Sequence, residues 1–299
     1  MANPVKFDNE FMKKLEYLSL ISRKVFKGSL LARRRSRRLG GGIEFAEHRD
    51  YVPGDDLRNF DWNVFARLNS RLVKHFEEEE DLRVYCFLDC SRSMQAGEPN
   101  KFDYARRIMA AFAYIALSDF DRVSVIPFAS GVIDTLPLVK GKQQIVKLLQ
   151  YLQRFEPTND DTNLKKTMND FVCRNERPGL AIIVSDLFDR NGFRAALDAL
   201  RYRNYDVRVV QVHDSEEANP KIRGDVRMVD TETGQARNVT ISESMLRRYH
   251  EKFDGYLESL RRYCNGQGFG CTISRTNIPF DELVLRMMRE TSGIFLPFG

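Results

Sequence analysis

Val84-Tyr85-Cys86-Phe87-Leu88-Asp89-Cys90-Ser91-Arg92-Ser93-Met94 is an apolar run of five residues that breaks abruptly into an acid and two hydroxyls. A short continuous apolar run reads as a strand covered on both faces, and such strands belong to parallel sheets with helices on either side. The sequence around it agrees. Phe102, Ala105, Met109, Phe112 and Ala116 mark one face of a helix, and Val123 to Phe128 is the next strand. Helices near 142–154 and 163–174, a strand over Leu180 to Val184, a helix near 192–202 and a strand over Val207 to Val212 continue the alternation. A long helix near 242–263, the strand Cys271 to Ser274 and a helix near 280–290 complete it. The expected fold class is α/β, a doubly wound, mostly parallel, Rossmann-like sheet. Residues 225–241 interrupt it with two β-like runs around Glu232-Thr233-Gly234, the pattern of an inserted hairpin.

Upstream of Val84 the pattern differs. Phe7, Phe11, Leu15, Leu18 and Val25 predict an amphipathic helix over residues 8–30 that runs into the basic stretch Arg33 to Arg38. Gly40-Gly41-Gly42 should end it, leaving Ile43 to Glu80 irregular apart from a strand at Leu72 to Phe76. The expected division is residues 1–80, packed on the main domain, and residues 81–299.

Composition narrows the function. The 299 residues are 42% hydrophobic and 30% charged, the balance of a globular protein, and no stretch approaches a membrane span or a signal peptide, so a cytoplasmic location is expected. Five cysteines without a CxxC pair and four scattered histidines argue against disulfides, zinc or another His-ligated metal. Any metal should be a hard cation held by oxygen. Net charge is +5, unevenly placed: Tyr17 to Ile43 holds eight Lys or Arg and no acid, whereas Glu77 to Asp81 is five consecutive acids. The basic run reads as a solvated helix end, as an arm for nucleic acid or an anionic membrane, or as a partner for that acidic run.

Ligands bind beyond the carboxyl ends of the strands in an open α/β sheet. Asp89, Ser91 and Ser93 follow the first strand, Asp186 follows the Leu180 strand, and Thr162 opens the intervening helix. Asp and Ser after a strand are also ordinary helix N-caps. Taken together, the five resemble the metal-ion-dependent adhesion site of von Willebrand factor type A domains. That resemblance implies hydroxyl ligation by Ser91, Ser93 and Thr162, with Asp89 and Asp186 binding directly or through water. The cation would be Mg²⁺, or Mn²⁺ or Ca²⁺, keeping enough positive charge to hold an acidic oxygen from a partner. Asp160 and Asp161 stand where that family has small residues; with Arg92 they are the candidate partner-binding positions, and their carboxylates would weaken the metal's pull.

The stretch Gly42 to Trp62, with Ala66-Arg67 and Val73-Lys74-His75-Phe76-Glu77 after it, resembles the signature of domain-of-unknown-function family fifty-eight, whose members join it to a type A-like domain. Its marks here are Arg49, Gly54, Asp55, Asp56, Arg58, Asp61 and Trp62. The charges read either as a scaffold of Arg-to-carboxylate pairs, with Phe60 and Trp62 packed beneath, or as a partner surface. Members are usually encoded beside MoxR-type AAA+ ATPases, which implies such an ATPase or its client as partner. The expected function is therefore a metal-dependent protein-interaction module, not an enzyme. The alternatives are metal-dependent phosphoryl transfer from a nucleophilic Asp89, or binding of an anionic polymer or surface through the basic arm.

Overall fold

The structure, a computed structural model, describes residues 7–26, 35–79, 81–158, 160–174, 177–220, 224–229 and 236–292. The chain divides into two units, residues 25–82 and residues 1–24 joined with 83–299.

In the larger unit the apolar runs become β3 (Arg83–Asp89), β4 (Arg122–Phe128), β6 (Leu180–Ser185), β7 (Asp206–His213) and β10 (Gly270–Arg275). A further strand, β5 (Leu136–Lys140), was not expected from the sequence. They form one six-stranded sheet in the order β10-β7-β6-β3-β4-β5, parallel except for β5 on the edge. Register sorts the side chains: Tyr85 lies beside Ala181 and Val207, and Phe87 beside Ile183 and Val209, so these share one face. That face is covered by α5 (Leu164–Cys173), α6 (Arg194–Tyr202) and α8 (Glu243–Gln267), through Phe171, Leu197 and Leu260 among others. Phe171 sits 4.9 Å from the Phe87 ring. The opposite face packs on α3 (Lys101–Ser118), which in turn carries α4 (Ile145–Gln153) and α9 (Phe280–Ser292). Helices on both faces explain why the central strands are apolar throughout.

The expected insertion is present as β8 (Gly224–Val229) and β9 (Ala236–Ile241), an antiparallel pair outside the main sheet. Its expected turn, Glu232-Thr233-Gly234, lies outside the described residues. Helix α1 (Asn9–Phe26) belongs to this unit as far as Lys24, and the smaller unit begins at Val25. The reason is apolar contact: Phe11 packs 5.0 Å from the Phe280 ring of α9, and Leu15 and Leu18 are buried.

The smaller unit corrects the expectation of irregular chain. Arg35–Asp50 forms β1, paired antiparallel with β2 (Leu72–Glu79), and α2 (Trp62–Leu68) lies between them. Arg35 to Arg38 are thus strand residues, not a helix end, and Arg35 is opposite Glu79. Arg33 and Arg34 lie outside the described residues. Gly40-Gly41-Gly42 does not break the element; the ladder slips there, with Leu39 and Glu44 both opposite Glu77. Glycine in a strand commonly marks such a bulge.

Candidate functional site

The carboxyl ends of β3 and β6 hold Asp89, Ser91, Ser93 and Asp186, and Thr162 lies on the loop that leads into α5. Asp89 and Asp186 are fully buried, Ser91 and Thr162 nearly so. Asp89 Oδ1 accepts the Ser91 N–H at 2.9 Å, and Asp89 Oδ2 accepts the Ser185 hydroxyl. The Ser91 and Ser93 hydroxyls lie 3.1 Å apart. The loop carrying Thr162 is tied to this turn by two backbone hydrogen bonds, Thr158 N–H to Cys90 C=O at 2.6 Å and Arg92 N–H to Asp160 C=O at 3.0 Å, and to the end of β4 by a third, Asn163 N–H to Ala129 C=O at 2.9 Å. Against that background Thr162 stands out, because its buried hydroxyl has no hydrogen-bond partner among the described residues. An unmet hydroxyl in such a place costs about 1–3 kcal/mol.

Electrostatics at the rim are those of two acids sharing one dry site. Burial first, and then the Asp186 charge, push the Asp89 carboxyl up to about 7. Leu187, directly after Asp186, takes a left-handed φ of 60°, uncommon for a bulky residue and a mark of local strain. That turn lets the Phe188 N–H reach Asp186 Oδ1 at 3.1 Å. Asp160 and Asp161 are exposed and make no carboxylate contacts among the described residues; Arg92 is half-buried.

A sixth residue, absent from the sequence reading, joins the site. Lys101, the first residue of α3, is fully buried and donates from Nζ to Asp186 Oδ2 at 2.8 Å and to Glu217 Oε1 at 2.5 Å. Burial alone would lower its pKa, but Asp186 and Glu217 outweigh that and raise it. Glu217 is fixed in turn by a capping box on the short helix α7 (Ser215–Ala218): Asp214 N–H donates to Glu217 Oε2 at 2.9 Å. Gly97 has φ +94° and passes so close to Asp214 that a Cβ there would fall 2.9 Å from its Cγ. Among the described residues no three His, Cys, Asp or Glu side chains gather as a metal cluster. The rim is a different kind of donor set, two carboxylates with hydroxyls and a competing ammonium.

In the smaller unit the signature acids work locally. Arg49 pairs with Asp55 at 2.6 Å, Asp56 caps the turn at Leu57–Asn59, and Gly54 supplies a φ of +110°. Asp61 caps α2 and accepts from His48 at 3.0 Å and Lys74 at 3.4 Å, and chiefly His48 holds its carboxyl down at about 2. Two expectations fail. Arg58 and Arg67 are exposed and form no ion pair among the described residues, and Trp62 is 62% exposed; Phe60, at 8%, is the buried ring, with Trp62 lying outside it at 4.7 Å.

Residues 47–255 match the model of a family described as "Protein of unknown function DUF58". The chain belongs to that family. Relatives include "Uncharacterized protein Rv1480" of Mycobacterium tuberculosis and "Uncharacterized protein Mb1516" of Mycobacterium bovis, each 26% identical over 210 residues; the match covers 69% of this chain and 66% of theirs. Among solved structures, an aerotolerance-related membrane protein of Bacteroides fragilis, crystallised with multiple mutations to serines, is similar at 18% identity and a TM-score of 0.46, over 71% of this chain and all of that one. The conserved hypothetical protein BatB of Bacteroides thetaiotaomicron follows at 18% and 0.42, over 71% and 98%. Among the described residues of this DUF58 chain no helix is long and apolar enough to cross a membrane.

Proposed function

We propose that the rim of this DUF58 protein holds a divalent cation and uses it to dock an acidic side chain of a partner protein, in the manner of a von Willebrand type A domain, with a MoxR-type ATPase or its client as the partner. Asp89, Ser91, Ser93, Thr162 and Asp186 would hold the cation, which supplies a positive centre to the partner's carboxylate. The observation that carries the reading is the buried Thr162 hydroxyl, unmatched among the described residues, on a loop whose backbone is bonded to the turn that follows the buried Asp89. Native chains rarely leave such a group unmet, and a bound ion is a standard reason when they do. Oxygen donors of this kind suit Mg²⁺. Phosphoryl transfer has less support, because a nucleophilic Asp89 needs an accessible oxygen, and both of its oxygens are buried and hydrogen-bonded.

Thr162→Val tests this. Removing an unsatisfied hydroxyl should leave stability in chelator unchanged or higher, while abolishing the rise in melting temperature that Mg²⁺ or Mn²⁺ gives the wild type. A wild type indifferent to both cations, or a variant that responds as the wild type does, would overturn the proposal.

A further inference from the structure

A second feature of the same sheet edge is independent of the cation. At the carboxyl ends of β7 and β10 a cavity of about 640 Å³ opens between the sheet and α8. That is within the roughly 300–1,000 Å³ range of small-molecule sites. Its walls are chemically divided. Phe253 and Leu257 of α8, with Ile273 and Ile278, make an apolar lining. Of the polar groups that face the same space, the side chains of Arg275, His250 and Asp254 form no hydrogen bond or ion pair among the described residues, and His213 forms one, to Gln211.

His213 and Arg275 are register partners in the parallel ladder, so they leave the same face of the sheet side by side. His213 is 3% exposed, and its tautomer is settled by its neighbour. Gln211 gives its Nε2–H to the Asp186 carbonyl at 3.3 Å, which leaves Oε1 to accept from His213 Nδ1 at 3.0 Å. The His213 Nε2 is then a lone-pair acceptor without a partner among the described residues, and it is not sealed off from the cavity. Burial, with Arg275 and Lys101 nearby, lowers the imidazole to about 4, so it is neutral at physiological pH. On the facing helix, His250, Phe253, Asp254 and Leu257 form one i, i+3, i+4, i+7 stripe.

The cavity therefore offers a cation on the strand side, an anion on the helix side, a buried acceptor and an apolar wall. A simple anion would meet Asp254, and a simple cation would meet Arg275. The geometry points to a binding site for a small zwitterion of the α-amino-acid class with an apolar side chain. Its carboxylate would lie on Arg275, its ammonium on Asp254 and His213 Nε2, and its side chain against Phe253 and Leu257.

The test is calorimetric or NMR titration of the full chain, in chelator so that the rim cation plays no part, with L-leucine, L-methionine and L-phenylalanine. Each is compared with its amide, which lacks the carboxylate, and its desamino acid, which lacks the ammonium. Saturable binding of at least one amino acid is expected below about 10 mM. Its amide and its desamino acid should each bind at least about tenfold more weakly, the scale of one charge-assisted hydrogen bond. Arg275→Gln and Asp254→Asn, both at exposed positions, should each cost a similar factor while leaving the melting temperature unchanged. No binding by any of the three, or binding indifferent to both substitutions, would overturn the proposal. So would a desamino acid that binds as well as its parent, which would make the site an anion site.

Discussion

Replacing Lys101 with Met probes the rim most directly, because it removes a charge and nearly keeps the volume. Lys101 Nζ and Asp186 Oδ2 are 2.8 Å apart with both side chains at 0% exposure. At that distance, with an effective dielectric of about 20, the Coulomb attraction is roughly 6 kcal/mol, against which stands the desolvation of both ions. Truncating one partner of a buried pair typically costs about 3–5 kcal/mol, since the other charge is left uncompensated. Glu217 keeps access to water, its side chain being 24% exposed, so the loss falls on Asp186. We expect a cost of about 3–5 kcal/mol in urea unfolding with chelator present. A saturating divalent cation can take over the missing positive charge, returning about 2.7 kcal/mol at a hundredfold excess over its Kd. In the wild type the return should be smaller, because the ammonium competes for Asp186. The assay must follow far-ultraviolet circular dichroism: the single tryptophan, Trp62, belongs to the other unit and is mostly exposed. A cost under about 1 kcal/mol, or equal Mg²⁺ increments in both proteins, would refute the idea that Lys101 and a cation share Asp186.

Asp89 gives a pH signature. Its folded pKa of about 7 exceeds the ordinary 3.8, so the folded state holds the proton more tightly and stability in chelator should fall as pH rises from about 4 to 7, then level off. Mg²⁺ favours the ionised carboxylate, so the cation-induced rise in melting temperature should grow across that range; Asp89→Asn should flatten the slope in chelator, and an unchanged slope would refute the assignment. In the smaller unit, Phe60→Ala should cost about 3–5 kcal/mol and Trp62→Ala under about 1 kcal/mol; the reverse order in thermal unfolding would show that Trp62 is the buried ring. If Asp160 and Asp161 compete for the cation, replacing both with Gly should tighten binding to a MoxR-type ATPase, measured by surface plasmon resonance with Mg²⁺ and with chelator. Equal affinity in both media would sink the bridging mechanism and leave the fold untouched.

The sheet was legible because its central strands are buried on both faces, and a run such as Leu180 to Val184 has only one economical reading. β5 escaped because it is an edge strand whose Leu136-Pro137-Leu138-Val139-Lys140 is half exposed and carries a proline, a residue that demotes strand readings. β1 escaped for a related reason. Its Arg-rich start and triple glycine contradict strand propensity, and only long-range pairing with β2, more than twenty residues downstream, makes it a strand. Trp62 was misjudged by size: a lone tryptophan invites burial, yet Phe60 lies 4.7 Å away and takes the inner position.

At the rim, residues that follow a strand were readable because the strand fixes where they emerge. Lys101 was not, because it reaches Asp186 across 85 positions of sequence. One local signal did exist. Lys101 is the first residue of an 18-residue helix capped by Asn100, where the macrodipole is positive and a lysine is disfavoured. A cation placed against that field needs a stronger compensation than solvent offers, and at 0% exposure solvent is not available. The compensation is Asp186 and Glu217, so the electrostatic oddity and the buried triad are one fact seen at two scales. It also bears on what the rim can do. With an ammonium already on Asp186, an incoming cation finds Asp89 and the hydroxyls first and must share or displace Lys101 to reach the second carboxylate. If the rim binds a cation as proposed, its affinity is set by a competition inside the protein, between that cation and the Lys101 ammonium, for Asp186.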